Sequence, residues 1–163
     1  MIVIRKCKLF SFNSTCPDTI NLGNGIIMKK VKDGRFFTWL GKYIKAIREV
    51  QETTLDYEIY YKSKEIGLFS AKEESRDEVN FMWINIYEEF EGKGYAQAVL
   101  NYFINAVKKE KKYKRITLEV PGFSPNAKHI YEKLGFKPTG RVEGDEKSDP
   151  IWGGLTYMKL DLK

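Results

Sequence analysis

The sequence predicts one α/β (α+β) domain built on a mixed, mostly antiparallel sheet of six to seven strands, with helices on both faces. Three observations predict it. Residues 55–61, 65–72 and 79–87 are successive strand-length apolar runs, the first two joined by the polar turn Lys62-Ser63-Lys64, which is the layout of an antiparallel meander. The β-branched run RITLEV at 115–120 is separated from strand 79–87 by a helical stretch, so those two strands read as parallel neighbours in a βαβ unit. The 163 residues suit one domain, 1–163, undivided by any repeat, low-complexity tract or linker.

The elements follow in order. Residues 2–10 read as a strand and 11–25, with Pro17, Gly23 and Gly25, as a loop. A short strand, IIMKKV at 26–31, ends at the turn Asp33-Gly34. From Phe37 to Val50, Leu40, Tyr43, Ile44, Ile47 and Val50 recur at helical spacing. After the meander, Ala96, Leu100, Phe103, Ile104 and Val107 stripe a long helix. The next helix has Ser124 placed to cap it, Pro125 at its first position and Gly135 as its C-terminal breaker, with Ala127, Ile130, Tyr131 and Leu134 on its buried side. Strands at about 136–142 and 154–162 finish the chain, joined by the polar loop EGDEKSD at 143–149.

With 42% hydrophobic and 31% charged residues, the chain is neither disordered nor fibrous. Cys7 and Cys16 are too few for a disulfide framework and lack metal-ligand spacing, so reduced thiols and no metal site are expected. The start MIVIRKCKLF lacks the apolar region of a signal peptide and no run reaches membrane-spanning length, which makes a cytoplasmic protein, with no membrane partner, the simplest expectation. The net charge is +6, densest in KKEKKYKR at 108–115. That run reads as the solvated end of a helix, where lysines complement the dipole, and gives nucleic acid low weight.

The stretch EGKGYA at 91–96 carries the chemistry. A strand turning directly into a helix leaves four backbone N–H groups unpaired at the positive end of the helix dipole. Gly92, Gly94 and the small Ala96 keep side chains out of an anion's way, and Lys93 adds a cation. Neither the dinucleotide fingerprint nor the P-loop pattern is present, so a different phosphate-bearing cofactor is implied.

Strand, EGKGYA, helix, RITLEV, then SPNAKHIYEKLGF at 124–136 resembles the acetyl-coenzyme A site of the GNAT superfamily of N-acetyltransferases. The first motif is matched from Glu91 to Ala96 and the second from Ser124 to Phe136; the resemblance covers about residues 55 to 160. It implies a GNAT-like fold and an acetyl-CoA cofactor whose pyrophosphate lies on the amides of Glu91, Gly92, Lys93, Gly94, Tyr95 and Ala96. It also implies that the pantetheine arm runs between strands splayed, often at a bulge, over 84–87, from Ile84 through Ile86 to Tyr87, with Ser124, Asn126 and Tyr131 beside it. The implied activity is transfer of an acetyl group to an amine of unknown identity, a small molecule or a protein, by direct attack in a ternary complex. A homodimer stays open.

Such transfer needs an oxyanion donor, expected at a backbone N–H near Ile86, and an acid for the thiolate, for which Tyr131 is the candidate against a plain core tyrosine. Glu91 stands where relatives carry arginine or glutamine, setting a carboxylate near the pyrophosphate unless it turns to solvent or pairs with Lys93. Ser124 replaces the usual asparagine. The base position of histone-type relatives falls on Asn80, which cannot take a proton. Glu78 faces the same way two residues earlier and could act through water, or be a solvated strand end; the base stays unassigned. His129 reads as surface, and Trp39, Trp83 and Trp152 as core or acceptor-pocket walls. Glu143, Asp145, Glu146 and Asp149 read as a solvated turn or an attractor of cationic amines. Two rival classes stay open: a non-catalytic acyl-CoA-binding module, and a basic nucleic-acid-binding domain.

Overall fold

The computed structural model describes residues 17–31 and 54–162. The strand expected at 2–10, the helix expected at 37–50, and Trp39 lie outside them. One sheet of eight strands organises the rest, in the order β1-β2-β3-β4-β5-β6-β8-β7. The strands are β1 Thr19–Gly23, β2 Ile26–Lys30, β3 Thr54–Tyr61, β4 Lys64–Ser75, β5 Glu78–Ile86, β6 Arg115–Pro121, β7 Lys137–Glu143 and β8 Leu155–Asp161. Among the described strands only β5 and β6 pair in parallel, as the intervening helix requires.

Eight strands replace the expected six to seven because part of the expected loop 11–25 is β1. Asn24 and Gly25 close a tight hairpin between β1 and β2, with φ of 50° and 80°. An Asn-Gly pair tolerates this positive-φ geometry, which matches the twist of the strands it joins. Gly23 adds a third positive φ, 84°, and its N–H is held by the Asn21 side-chain oxygen at 2.9 Å.

Two helices are described, α1 Tyr95–Lys109 and α2 Pro125–Lys133. The first buries Val99, Leu100, Phe103, Ile104, Ala106 and Val107, and so follows the apolar stripe written in its sequence. Phe103 stacks its edge on Phe69 of β4 at 5.2 Å and lies 6.0 Å from Phe81 of β5. Phe81 also meets Tyr131 of α2 at 5.8 Å, so both helices cover the same face of the sheet. The opposite face presents Asp56, Ser70 and Asn80, all buried. Among the described residues no helix is long and apolar enough to cross a membrane.

Candidate functional site: a cleft where two strands part

The β5–β6 ladder runs only from Glu78↔Arg115 to Phe81↔Leu118. Beyond that pair β5 continues to Ile86 against β4, and β6 to Pro121 against β8. The two inner edges therefore diverge from an apex at Phe81 and Leu118. A bulge accompanies the parting: Ala71 opposes Phe81 and Ser70 opposes Trp83, which leaves Met82 without a partner across β4. Bulges bend and twist a strand, and this one turns the end of β5 away from β6.

The open edge has a definite polarity. Backbone groups alternate sides along a strand, and the Tyr87 N–H donates to the Ile66 carbonyl of β4 at 2.9 Å. Ile84 and Ile86 consequently aim their N–H and C=O groups at the gap. The Tyr87 N–H, included in the expected cofactor edge at 84–87, belongs to β4 instead.

The glycine loop closes the far end of the cleft. Gly92 and Gly94 have φ of 70° and 81°, and a Cβ built on either meets nothing within 4 Å. Both facts favour glycine there, since the left-handed region disfavours other residues and the space in front stays clear. The first bond of α1 is Ala98 N–H to the Gly94 carbonyl at 3.0 Å, and Gly94, as N-cap, has no side-chain cap. Among the described residues the N–H groups of Gly94 to Gln97 thus have no acceptor. Bare donors, a helix dipole and cleared space fit a diphosphate.

Lys93 donates from Nζ to the Glu89 carbonyl at 2.8 Å and lies 5.2 Å from the Phe90 ring centroid, folded onto the short turn Glu88–Phe90. Of the two placements open to Glu91, the pair with Lys93 is absent among the described residues, and the side chain is exposed to solvent. Tyr95 fixes the mouth of the helix by packing its ring 5.0 Å from Tyr61 of β3.

Tyr131 stands at the apex. Its ring is clamped between Phe81 and Phe136, at 5.8 and 6.0 Å, and is 8% exposed. Burial pushes its phenol up to about 12. Among the described residues nothing bonds its hydroxyl. The clamp is built by the motif itself: the Phe136 N–H returns to the Tyr131 carbonyl and the Gly135 N–H to the Glu132 carbonyl, both at 3.0 Å, with Gly135 at φ 94°. That is a Schellman ending, in which the residue past the glycine packs on the helix's last turn. Asn126 is exposed on the first turn of α2. Ser124 is the N-cap by backbone only: its side chain makes no capping bond, correcting the expectation for it, and its φ of −119° and ψ of 57° lie off the usual capping geometry.

Glu78 sits on the closed side of the apex, three residues or roughly 10 Å before Phe81 along the strand. Both its oxygens are engaged, one by the Thr117 hydroxyl at 3.1 Å and the other by Arg115 Nε at 3.9 Å. Asn80 donates to the same Thr117 hydroxyl at 3.4 Å. The structure does not bring Glu78 together with the parted edges. His129 is exposed, 3.4 Å from Glu132. Trp83 of β5 meets Trp152 of the β7–β8 loop edge to face at 6.0 Å, both more than a third exposed, so neither is core.

The acidic loop spends its charges on itself. Asp145 accepts the N–H groups of Lys147 and Ser148 at 3.0 and 2.8 Å, which hold its carboxyl below the usual range. Asp149 accepts the Trp152 N–H at 3.1 Å, and Glu143 takes the Tyr157 hydroxyl at 2.7 Å and Arg141 at 3.0 Å. Glu146 is left exposed. The family resemblance implies a bulge where these strands part, but its position at Met82 is marked by no residue type.

A parted parallel pair thus opens beside a glycine-lined helix start with bare donors. The profile of the acetyltransferase (GNAT) domain family matches residues 56–138, just over half of the 163. The chain belongs to the GNAT acetyltransferase family. No curated protein matches its sequence. Among solved structures it is similar to a GNAT family acetyltransferase from Elizabethkingia anophelis with acetyl-CoA bound, at TM-score 0.69 and 16% identity over 86% of this chain and 100% of that one. An IAA acetyltransferase from Bacillus cereus gives 0.68 and 15%, over 84% and 99%. A spermidine N-acetyltransferase from Vibrio cholerae in complex with CoA and spermine gives 0.65 and 19%, over 85% and 96%. At these identities the likeness speaks for the fold.

Proposed function

We propose that this protein transfers an acetyl group from acetyl-CoA to an amine by direct attack in a ternary complex. The observation that carries the reading is the parting of β5 and β6 directly behind an uncapped, glycine-lined helix start. Bound acetyl-CoA would supply a thioester as the activated acyl group.

The chain's residues divide the work. The N–H groups of Gly94 to Gln97 hold the diphosphate, with Gly92 and Gly94 keeping its approach clear. Ile84 and Ile86 offer the β5 edge to the pantetheine amides. In this reading Ile84, two residues nearer the apex than the expected Ile86, donates its N–H to the acyl oxygen as negative charge develops there, a kind of contact worth about 10²–10³ in rate. Tyr131 donates its hydroxyl proton in a hydrogen bond to the departing sulfur. Exposed Glu91 turns its charge to solvent, away from the diphosphate.

Binding and turnover are tested separately. Acetyl-CoA should raise the melting temperature, and Gly94→Glu, which puts a carboxylate in the cleared space, should abolish that rise. Thiol release with a panel of amines tests transfer. Stabilisation without thiol release from any amine would leave a binding module, and no stabilisation would remove the cleft reading altogether.

A further inference from the structure

Transfer to an amine leaves a proton to be removed, and Glu78 is too far on the closed side of the apex to take it directly. The face opposite the helices supplies another carboxylate. Trp83 pairs with Ser70 and Asn80 with Lys72, so these side chains share the face opposite Phe69 and Phe81. On β6, buried Leu118 points to the helices, and its neighbours Thr117 and Glu119 point the other way.

Leu118 belongs to the last β5–β6 pair, so Glu119 is the first residue of β6 beyond the apex. By register it stands across the opening gap from Met82 and Trp83, on the face away from the two described helices. Among the described residues its carboxylate makes no hydrogen bond or ion pair, whereas Glu78, Glu143, Asp145 and Asp149 are all engaged.

We propose that Glu119 is the base that takes the acceptor's proton. This rests on the acetyl-transfer reading above. The amine nitrogen forms a bond to the acetyl carbon, the carbon–sulfur bond breaks, the nitrogen's proton passes to the Glu119 carboxylate, and the electron pair leaves on sulfur, held by the Tyr131 hydroxyl. The Trp83–Trp152 pair walls the same approach with apolar surface. Glu119 is exposed to solvent; partial shielding by the neighbouring strands shifts its pKa upward, and the charges facing it are Lys72 and Glu74 from β4 and Arg141 and Glu143 from β7. Tyr157 of β8 lies directly opposite in register. A carboxylate whose pKa is shifted upward is a stronger base in its ionised form.

The test compares wild type, Glu119→Gln and Glu119→Asp, by thiol release with a linear diamine, phenethylamine and dialanine, and by calorimetric acetyl-CoA affinity. Glu119→Gln should lower kcat by about 10²–10⁴ with cofactor affinity unchanged, and Glu119→Asp should restore part of it. On the acid side, log kcat/KM should steepen from slope one towards slope two in wild type and stay at slope one in Glu119→Gln. Turnover of Glu119→Gln within twofold of wild type overturns the assignment and leaves acetyl transfer standing. Absence of thiol release by wild type with every amine overturns the transfer reading, and the assignment falls with it.

Discussion

Burial pushes the Tyr131 phenol up to about 12, while a coenzyme thiol lies near 8.5 if it resembles cysteine. Full proton transfer to the leaving thiolate would run uphill by roughly 5 kcal/mol, so Tyr131 acts as a hydrogen-bond donor that stays protonated. Tyr131→Phe should keep acetyl-CoA affinity and slow turnover about tenfold or more; unchanged kcat would leave only a core tyrosine. The same shift bears on stability. The unfolded chain releases this proton near pH 10 and the folded chain near about 12. The stabilisation is therefore complete below about pH 10 and is lost as pH rises through about 12, roughly 2–3 kcal/mol in all. Urea titrations across that window should show wild type losing this increment and Tyr131→Phe lacking it. The buried placement of Tyr131 was legible in sequence because it depends on a local helical stripe. Glu119 was illegible because its surroundings are set by where a non-adjacent strand leaves β6.

At the scale of elements, the ending of α2 shows a motif acting mechanically. Tyr-x-Lys-x-Gly-Phe fixes a left-handed residue at Gly135, returns the chain, and lays Phe136 against the Tyr131 ring. Gly135→Ala forces an L side chain to φ 94° and sets a Cβ 3.4 Å from a Leu160 methyl. The left-handed strain alone is roughly 1–2 kcal/mol, which in a domain of this size lowers the melting temperature by about 2–8 °C. Because the strain falls on the clamp, kcat should drop as well; a variant that melts lower with full kcat would separate the clamp from catalysis. Glycine loop, crossover helix and Schellman ending were all legible because each is a short-range signal. The β1–β2 hairpin was lost among neighbouring Gly and Pro residues that read as loop, although Asn24-Gly25 is itself a hairpin signal.

Across the whole molecule the sheet divides its labour by face. Phe81 joins β5 to both helices on one side, and the other side carries the polar residues around the apex. Three of the six cations in the basic run at 108–115 are paired: Lys112 with Glu73, Lys114 with Asp77 at 3.0 Å and Arg115 with Glu78 at 3.9 Å. Those pairs tie the end of the crossover to the β4–β5 turn and thin out the positive field a nucleic acid would need. The parallel β5–β6 pair was legible from the helix between its strands, and its parting was implied by the family resemblance; the place of the parting, directly after Phe81 at the Met82 bulge, was not.

Amide hydrogen exchange of the protein with and without acetyl-CoA tests the cleft most directly. Protection should rise at Ile84 and Ile86 and from Gly92 to Gln97, while Trp83 and Asn85, whose backbone groups already face β4, stay unchanged. Protection gained elsewhere, with those amides exchanging as before, would contradict the account.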